Sequence, residues 1–347
     1  MKTLSRSKFQ LSGLPTAIGS LPHTDPRKAC SLVAKYLPEI PLWPQLPKRS
    51  FLENMYAQYS EGFPGLVIDK DRIYVNLSKD FEKPLEKLYA AYLENKIEEF
   101  AIGERYAAGL YEFIDHRPNH PLAVKGQVTG PITWGMTITD ENRRPVLYDE
   151  TAADAIVKHL NMKARWQESK LRELSDNTIL FFDEPYMSSV GSAFVSIPRE
   201  RIIELLEGTF EGIKSLKGVH CCGNTDWSLI LDTSVDIVSF DAYTYSHTIA
   251  LYQEALGKFL DGGGILAWGI VPHEEKAVNN EAVSSLLDRL TDGMAGIERK
   301  GIKRNKITEQ SLLTPACGLG AVSEEVAEHT LSMLSELSLA FRNKYIK

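Results

Sequence analysis

Cysteine is scarce in this sequence, and its few residues do not form a disulfide pattern. Cys30, Cys221, Cys222 and Cys317 are too few and too unevenly spaced to cross-link a chain of 347 residues. We therefore expect reduced thiols, which are available to bind a metal ion.

Long apolar runs are also absent. No segment approaches the roughly 18 uninterrupted apolar residues of a membrane-spanning helix, and the basic N-terminus lacks the apolar stretch of a signal peptide. There is no long lysine or arginine stripe, and the net charge of −7 offers no attraction to nucleic acid or to an anionic membrane. We expect a cytoplasmic protein that acts on small molecules or with a protein partner.

Internal repeats and low-complexity tracts are missing, and no GxGxxG motif follows the first predicted strand. The composition, 43% hydrophobic and 24% charged, is typical of a packed enzyme. Short apolar or β-branched runs predict eight strands, at 16–20, 40–45, 122–129, 178–183, 217–222, 235–241, 264–270 and 310–316. Amphipathic stretches predict helices at 151–174, 198–214, 247–260, 280–299 and 323–342.

Strands that alternate with helices in this way favour an α/β fold, the TIM (β/α)8 barrel, as a single domain over residues 1–347. Residues 51–120 exceed a simple crossover. They contain a hairpin-like segment that turns near Asp69 to Asp71, and two helical segments at 79–95 and 97–114. We interpret this region as an insertion after the second strand, near the barrel mouth. A doubly wound open sheet is the alternative, but polar residues at the carboxyl ends of the strands favour the barrel.

Two metal-binding residue types share one face of the fifth predicted strand. The strand period of two places His220 and Cys222 on the same side, while Cys221 points the other way. Such a pair also occurs without metal, because a strand-end cysteine is often a small buried hydrophobe and a histidine often only bonds locally.

Two further strand ends carry matching chemistry, since Asp241 closes the sixth predicted strand and Cys317 follows the eighth. Zinc accepts such a mixed set of nitrogen, sulfur and oxygen ligands. Asp241 could instead cap the next helix or orient His220. Thiolate ligands, with no HExxH motif, favour activation of a substrate thiol over hydrolysis.

Several motifs in this order resemble the catalytic barrel of cobalamin-independent methionine synthase. The matching segments are Ile18-Gly19-Ser20-Leu21-Pro22, Val128-Thr129-Gly130-Pro131-Ile132-Thr133, Asp183-Glu184-Pro185, His220-x-Cys222 and the late Cys317. The resemblance covers most of the chain and extends to the superfamily that includes uroporphyrinogen decarboxylase and corrinoid-linked methyltransferases. It implies a zinc-dependent methyltransferase that methylates a thiol, with homocysteine giving methionine.

The resemblance also implies roles for individual residues. Ile18 and Ser20 would hold the amino-acid part of homocysteine, and Asp183 would bind its ammonium group. His220, Cys222 and Cys317 stand at the zinc positions of the family, and Asp241 stands where the family usually has glutamate.

The sequence departs from the family at two positions. Gln45 replaces a glutamate expected after the second strand, which removes one charge from the substrate site. His273 lies about two residues from the position of the family's histidine, and it is the candidate proton donor.

The sequence alone does not decide the methyl donor or the methyl acceptor. The resemblance covers the catalytic unit, and we expect no counterpart of the additional barrel of the long folate-using enzymes, so methylcobalamin on a corrinoid protein is the preferred donor over 5-methyltetrahydrofolate. Coenzyme M is an alternative acceptor.

A uroporphyrinogen decarboxylase-like enzyme is a rival function, although Arg27 and Arg49 alone offer few cations for a many-carboxylate substrate. A non-catalytic zinc- or corrinoid-binding module is the other rival.

Overall fold

The computed structural model describes residues 11–70, 72–78, 81–192 and 195–346. Its main feature is a curled, parallel, seven-stranded sheet surrounded by helices, as in a TIM-like barrel. The strands in the described residues are β1 (Leu14–Pro15), β2 (Leu66–Asp69), β3 (Arg72–Val75), β4 (Val124–Thr129), β5 (Thr139–Asp140), β6 (Thr178–Asp183), β7 (Leu216–Cys221), β8 (Ile237–Phe240), β9 (Ile265–Val271) and β10 (Ser311–Pro315). The main sheet has the order β1-β10-β9-β8-β7-β6-β4, and a separate small sheet has the order β2-β3-β5.

The six strands predicted after residue 120 are confirmed, each within two residues at both ends. These strands are buried over most of their length, because helices cover the outer face of the sheet and side chains fill its interior. Their carboxyl ends meet at one edge, which is where barrel folds place their active sites.

The predicted closed barrel is confirmed only in part, because the sheet is not fully closed between β1 and β4. The predicted second strand forms no ladder and contributes two single bridges, Ser20 to Gln45 and Leu42 to Lys125. Proline is the physical reason, since Pro41 and Pro44 carry no N–H to donate to a neighbouring strand.

The helices confirm most of the predicted helical segments. In the described residues they are α1 (Pro26–Tyr36), α2 (Met55–Gln58), α3 (Glu82–Leu93), α4 (Ala108–Asp115), α5 (Pro131–Thr137), α6 (Glu150–Leu171), α7 (Arg199–Phe210), α8 (Ser228–Leu231), α9 (Ala242–Tyr245), α10 (Gln253–Asp261), α11 (Glu275–Val278), α12 (Val283–Glu298), α13 (Arg304–Glu309) and α14 (Glu324–Tyr345). None of them is both long enough and apolar enough to cross a membrane.

The region 51–120 contains the predicted hairpin, in which β2 and β3 pair antiparallel. Residues 71, 79 and 80, which belong to the predicted turn and helix, lie outside the described residues. The predicted helix at 97–114 is divided into a 3-10 turn (Ile97–Phe100) and α4, because the N–H of Gly103 donates to the Glu61 carboxylate at 2.7 Å and not to a helical carbonyl. The single-domain organisation stays a prediction.

Candidate metal centre and substrate cavity

Three of the predicted zinc ligands converge at the carboxyl edge of the sheet. His220 lies near the end of β7, Cys222 follows that strand directly, and Cys317 lies two residues beyond β10. One ligand atom from each of the three side chains lies within 4.8 Å of the other two. Cys221, which points to the opposite face as the strand period predicts, is not part of this group.

The His220 imidazole is oriented by the neighbouring strand. Its Nδ1 lies 3.0 Å from Ser239 Oγ, and the two residues are paired in the register of β7 and β8. Its Nε2 is buried and has no hydrogen-bond partner among the described residues. A buried polar atom without a partner is costly, so Nε2 is suited to bind a ligand, and an orienting bond at the other nitrogen is usual for metal-bound histidine.

The two site cysteines interact directly. A hydrogen bond from the Cys317 thiol, together with the neighbouring His220, lowers the pKa of Cys222 to about 4, against the opposing effect of burial. The same contact and burial raise the pKa of Cys317. By contrast, burial raises the pKa of Cys221 to about 12. The lowered pKa favours the thiolate form of Cys222, and a thiolate is the form that binds zinc. The donor set fits a zinc ion.

A cavity of about 440 Å³ opens beside these ligands, which is a size typical of small-molecule sites. Seven of the predicted site residues line it: Ile18, Ser20, Gln45, Asp183, His220, Cys222 and Cys317. Apolar walls come from Pro47, Met55 and Pro185. The cavity therefore combines thiol-binding chemistry with a largely apolar enclosure.

Asp183 ends β6 and is nearly fully buried, with Oδ1 lacking any partner among the described residues. Burial raises the pKa of Asp183 to about 6, while His220 and then Lys125 act to lower it. An unpartnered buried carboxylate in a cavity is a candidate to bind a cationic group of a ligand.

The loop after β1 contacts the loop after β10 at the cavity, since these two strands are neighbours in the sheet. Ser20 Oγ accepts a hydrogen bond from the N–H of Gly320 at 3.2 Å, and its own hydrogen remains available to donate. A Cβ at Gly318 would lie 2.4 Å from Ser20 Oγ, so a larger residue there would force the Ser20 side chain to move. The Ile18 carbonyl accepts a hydrogen bond from Lys125 Nζ at 2.6 Å.

Gln45 is buried and held by other amides, since its Nε2 donates to Gln58 Oε1 at 2.7 Å. A second carboxylate, Glu53, also lines the cavity, and the pattern of the sequence did not single it out. Glu53 Oε1 pairs with Arg49 at 2.7 Å, whereas Oε2 is buried and has no partner among the described residues. Burial raises the pKa of Glu53 against the lowering effect of Arg49.

Two predicted site residues do not line the cavity. Asp241 caps α9, with Oδ1 accepting from the N–H of Thr244 at 2.8 Å, and among the described residues it is outside the group of converging ligands. His273 lies close enough to Asp241 to lower the pKa of that carboxyl, which burial raises. The roles of Asp241 as a zinc ligand and of His273 as a proton donor stay predictions.

Glu184 has a structural task that the sequence motif did not reveal. Its carboxylate accepts hydrogen bonds from the N–H groups of Ile132 at 2.9 Å and Thr133 at 2.7 Å, at the start of α5. A Cβ at Gly130 would collide with this carboxylate. The two adjacent acidic residues therefore have different roles. Asp183 faces the cavity, and Glu184 stabilises the N-terminus of α5.

No protein-family model and no curated protein matches this chain. Several solved structures are similar to it in fold, among them the following two. One, a B12-independent methionine synthase from Shewanella sp. W3-18-1 in complex with selenomethionine, has a TM-score of 0.59 and 16% identity, over 97% of this chain and 99% of the other. The other, a methyltransferase from Methanosarcina mazei, has a TM-score of 0.57 and 13% identity, over 96% of this chain and 94% of the other. This chain therefore has the fold of B12-independent methionine synthase and methyltransferase structures.

Proposed function

We propose that this chain is a zinc-dependent methyltransferase that transfers a methyl group to a small thiol, with homocysteine as acceptor and methionine as product. The observation that carries the proposal is the convergence of His220, Cys222 and Cys317 beside a cavity that is also lined by Asp183, whose Oδ1 has no partner among the described residues.

His220 Nε2 and the sulfur atoms of Cys222 and Cys317 would hold the zinc ion. Zinc with three protein ligands keeps a position for a substrate thiol and favours its nucleophilic thiolate form. Ser239 holds the imidazole so that Nε2 stays free. Asp241 is proposed as an additional oxygen donor, and His273 as a proton donor beside it.

An amino-acid thiol suits the rest of the cavity lining. Asp183 would bind the ammonium group, and the Ser20 hydroxyl would donate to the carboxylate. Gln45 would contribute a neutral amide. A sulfonate such as that of coenzyme M would place a second anion beside Asp183, which is unfavourable in a buried site. The similar Shewanella structure holds selenomethionine, a methylated amino acid of the size this role requires.

The preferred donor is methylcobalamin carried by a corrinoid protein. Its delivery from outside needs an open, apolar cavity mouth, and Pro47, Met55 and Ala321 provide apolar lining. With a net charge of −7, the chain as a whole offers no electrostatic attraction to a polyglutamyl folate tail.

The first test is metal content. We expect near-stoichiometric zinc in the purified protein and its loss in Cys222→Ser, while the matched variant Cys221→Ser, which alters the neighbouring thiol outside the ligand group, keeps the metal. A folded wild-type protein that binds no zinc would refute the proposal and favour the decarboxylase-like alternative.

The second test is methyl transfer. The zinc-loaded protein is incubated with methylcobalamin or 5-methyltetrahydrofolate and a panel of thiols, and S-methylated products are measured by mass spectrometry. We expect thiol-dependent demethylation of methylcobalamin with homocysteine as the best acceptor. Turnover of coenzyme M alone would overturn the acceptor assignment, and no transfer from either donor would leave a zinc- or corrinoid-binding module.

A further inference from the structure

A fully buried lysine lies beneath the Ile18 to Ser20 loop, which lines the candidate substrate cavity. Lys125 is on β4, and its Nζ donates to the Ile18 carbonyl at 2.6 Å and to Gln127 Oε1 at 3.4 Å. The same ammonium lies 4.3 Å from the centre of the Phe181 ring. Burial of a lysine charge is expensive, and hydrogen bonds from Nζ that reach only neutral partners call for a functional reason.

Lys125 spans the gap at which the sheet is not closed. Its backbone forms the single bridge to Leu42, with its N–H donating to the Pro41 carbonyl at 2.9 Å. Its side chain continues past this segment to the Ile18 carbonyl of the first loop. One residue therefore connects the third predicted strand to both the second and the first.

The next inward-facing residue of β4 supports the same segment. Gln127 Nε2 donates to the Trp43 carbonyl at 3.1 Å. A Cβ at Gly19 would lie 2.6 Å from Gln45 Oε1 and 2.9 Å from Gln127 Cδ, so the first loop is pressed directly against these side chains. Side-chain hydrogen bonds thus supplement the few backbone hydrogen bonds that join this segment to its neighbours, where the other strands form a continuous ladder.

The loop held in this way forms part of the cavity, because Ile18 and Ser20 both line it. The positive charge of Lys125 also acts on Asp183 across the barrel interior and favours the ionised carboxylate. The Ile18 to Ser20 loop and Asp183 are the two parts of the cavity lining that would hold an amino-acid thiol. Both are therefore linked to Lys125.

We propose that Lys125 is a positioning residue that closes the open seam of the barrel and holds the Ile18 to Ser20 loop in the geometry required to bind substrate. The proposal rests on the function proposed above for its substrate, but the loop geometry itself can be tested without any substrate.

The variants are Lys125→Met, which keeps the apolar stem and removes the donor, and Lys125→Gln, which keeps a shorter N–H donor. Lys163→Met is the matched control. Lys163 is also a fully buried lysine, its Nζ donates to the Ala101 carbonyl at 3.4 Å, and it does not line the cavity.

Hydrogen exchange of the backbone amides in residues 16–22 tests the loop directly. Leu21 donates to the Gln45 carbonyl in this segment, and we expect its exchange to become about 10-fold faster in Lys125→Met but to stay unchanged in Lys163→Met. Unchanged exchange in Lys125→Met overturns the proposal, whether or not the protein binds homocysteine.

Calorimetric binding of homocysteine to the zinc-loaded variants tests the consequence. We expect the dissociation constant to rise about 10- to 100-fold in Lys125→Met, with partial recovery in Lys125→Gln and equal zinc content in all variants. A purely structural role would lower the melting temperature without changing affinity, and that result refutes a positioning role. If Lys125→Met does not fold, Lys125→Gln carries both measurements. A wild-type protein that binds no thiol refutes the proposed function, and the exchange result then decides the role of Lys125.

Discussion

The strongest prediction concerns Asp183→Asn, which removes the negative charge proposed to bind the substrate ammonium. Asp183 is buried and its Oδ1 has no partner among the described residues, so an ammonium group in the cavity would form a charge-assisted hydrogen bond sheltered from water. Such a bond contributes about 2–3 kcal/mol, which corresponds to a rise of about 30- to 160-fold in the Michaelis constant for homocysteine.

The comparison substrate is 4-mercaptobutanoate, which is homocysteine without the amino group. Its Michaelis constant should change by less than about 3-fold in Asp183→Asn, because it offers no cation to the lost carboxylate. The control variant is Asp149→Asn, in which asparagine can replace the carboxylate that caps α6. It should behave as wild type with both thiols.

The assay measures initial rates of methylated product over a range of thiol concentrations, on protein of measured zinc content. Equal losses for homocysteine and 4-mercaptobutanoate would refute the ammonium role and indicate that Asp183 acts on the zinc site or on the thiol itself. A loss of zinc in Asp183→Asn would point to the same conclusion.

Three further predictions address residues around the site. Ser239→Ala should weaken zinc binding about 10-fold in a chelator competition, because the imidazole of His220 loses its orienting partner; unchanged affinity would contradict this role. Asp241→Asn should weaken zinc binding and keep the melting temperature, because it removes the proposed oxygen donor while asparagine caps α9 equally well; unchanged zinc affinity would show that the carboxylate only caps the helix. Lys163 tests the pH dependence of folding stability, because burial lowers the pKa of Lys163 from 10.5 to about 8. Between these two values the unfolded chain binds a proton that the folded chain lacks, so folding stability should rise with pH by up to about 1.4 kcal/mol per unit in wild type relative to Lys163→Met. Chemical denaturation at pH 7.5 to 9.5 measures this difference, and parallel curves for the two proteins would show that Lys163 does not titrate in that range.

Local patterns of residue type were sufficient to predict most of the helices and strands. The strands after residue 120 are apolar and continuous, and the period of two along β7 separates His220 from Cys221 whatever surrounds the strand. Proline explains the failure at the second predicted strand, because Pro41 and Pro44 prevent a regular ladder there.

The convergence of His220, Cys222 and Cys317 also followed from the sequence, because residues at the carboxyl ends of parallel strands must meet at one edge of the sheet. The placement of Asp241 did not follow. A strand-end aspartate can face the cavity or cap the next helix, and the backbone direction after β8 directs its Oδ1 to the N–H of Thr244.

By itself, the sequence determined the order of strands and helices and the strand ends that carry chemistry, because these depend on periodicity and on residue type. Only the tertiary structure decided that Ser239 orients His220, that Glu53 enters the cavity and that Lys125 reaches Ile18. These contacts join residues far apart in the chain, and they depend on the register of neighbouring strands and on the curvature of the sheet. A linear pattern of residue types contains neither quantity.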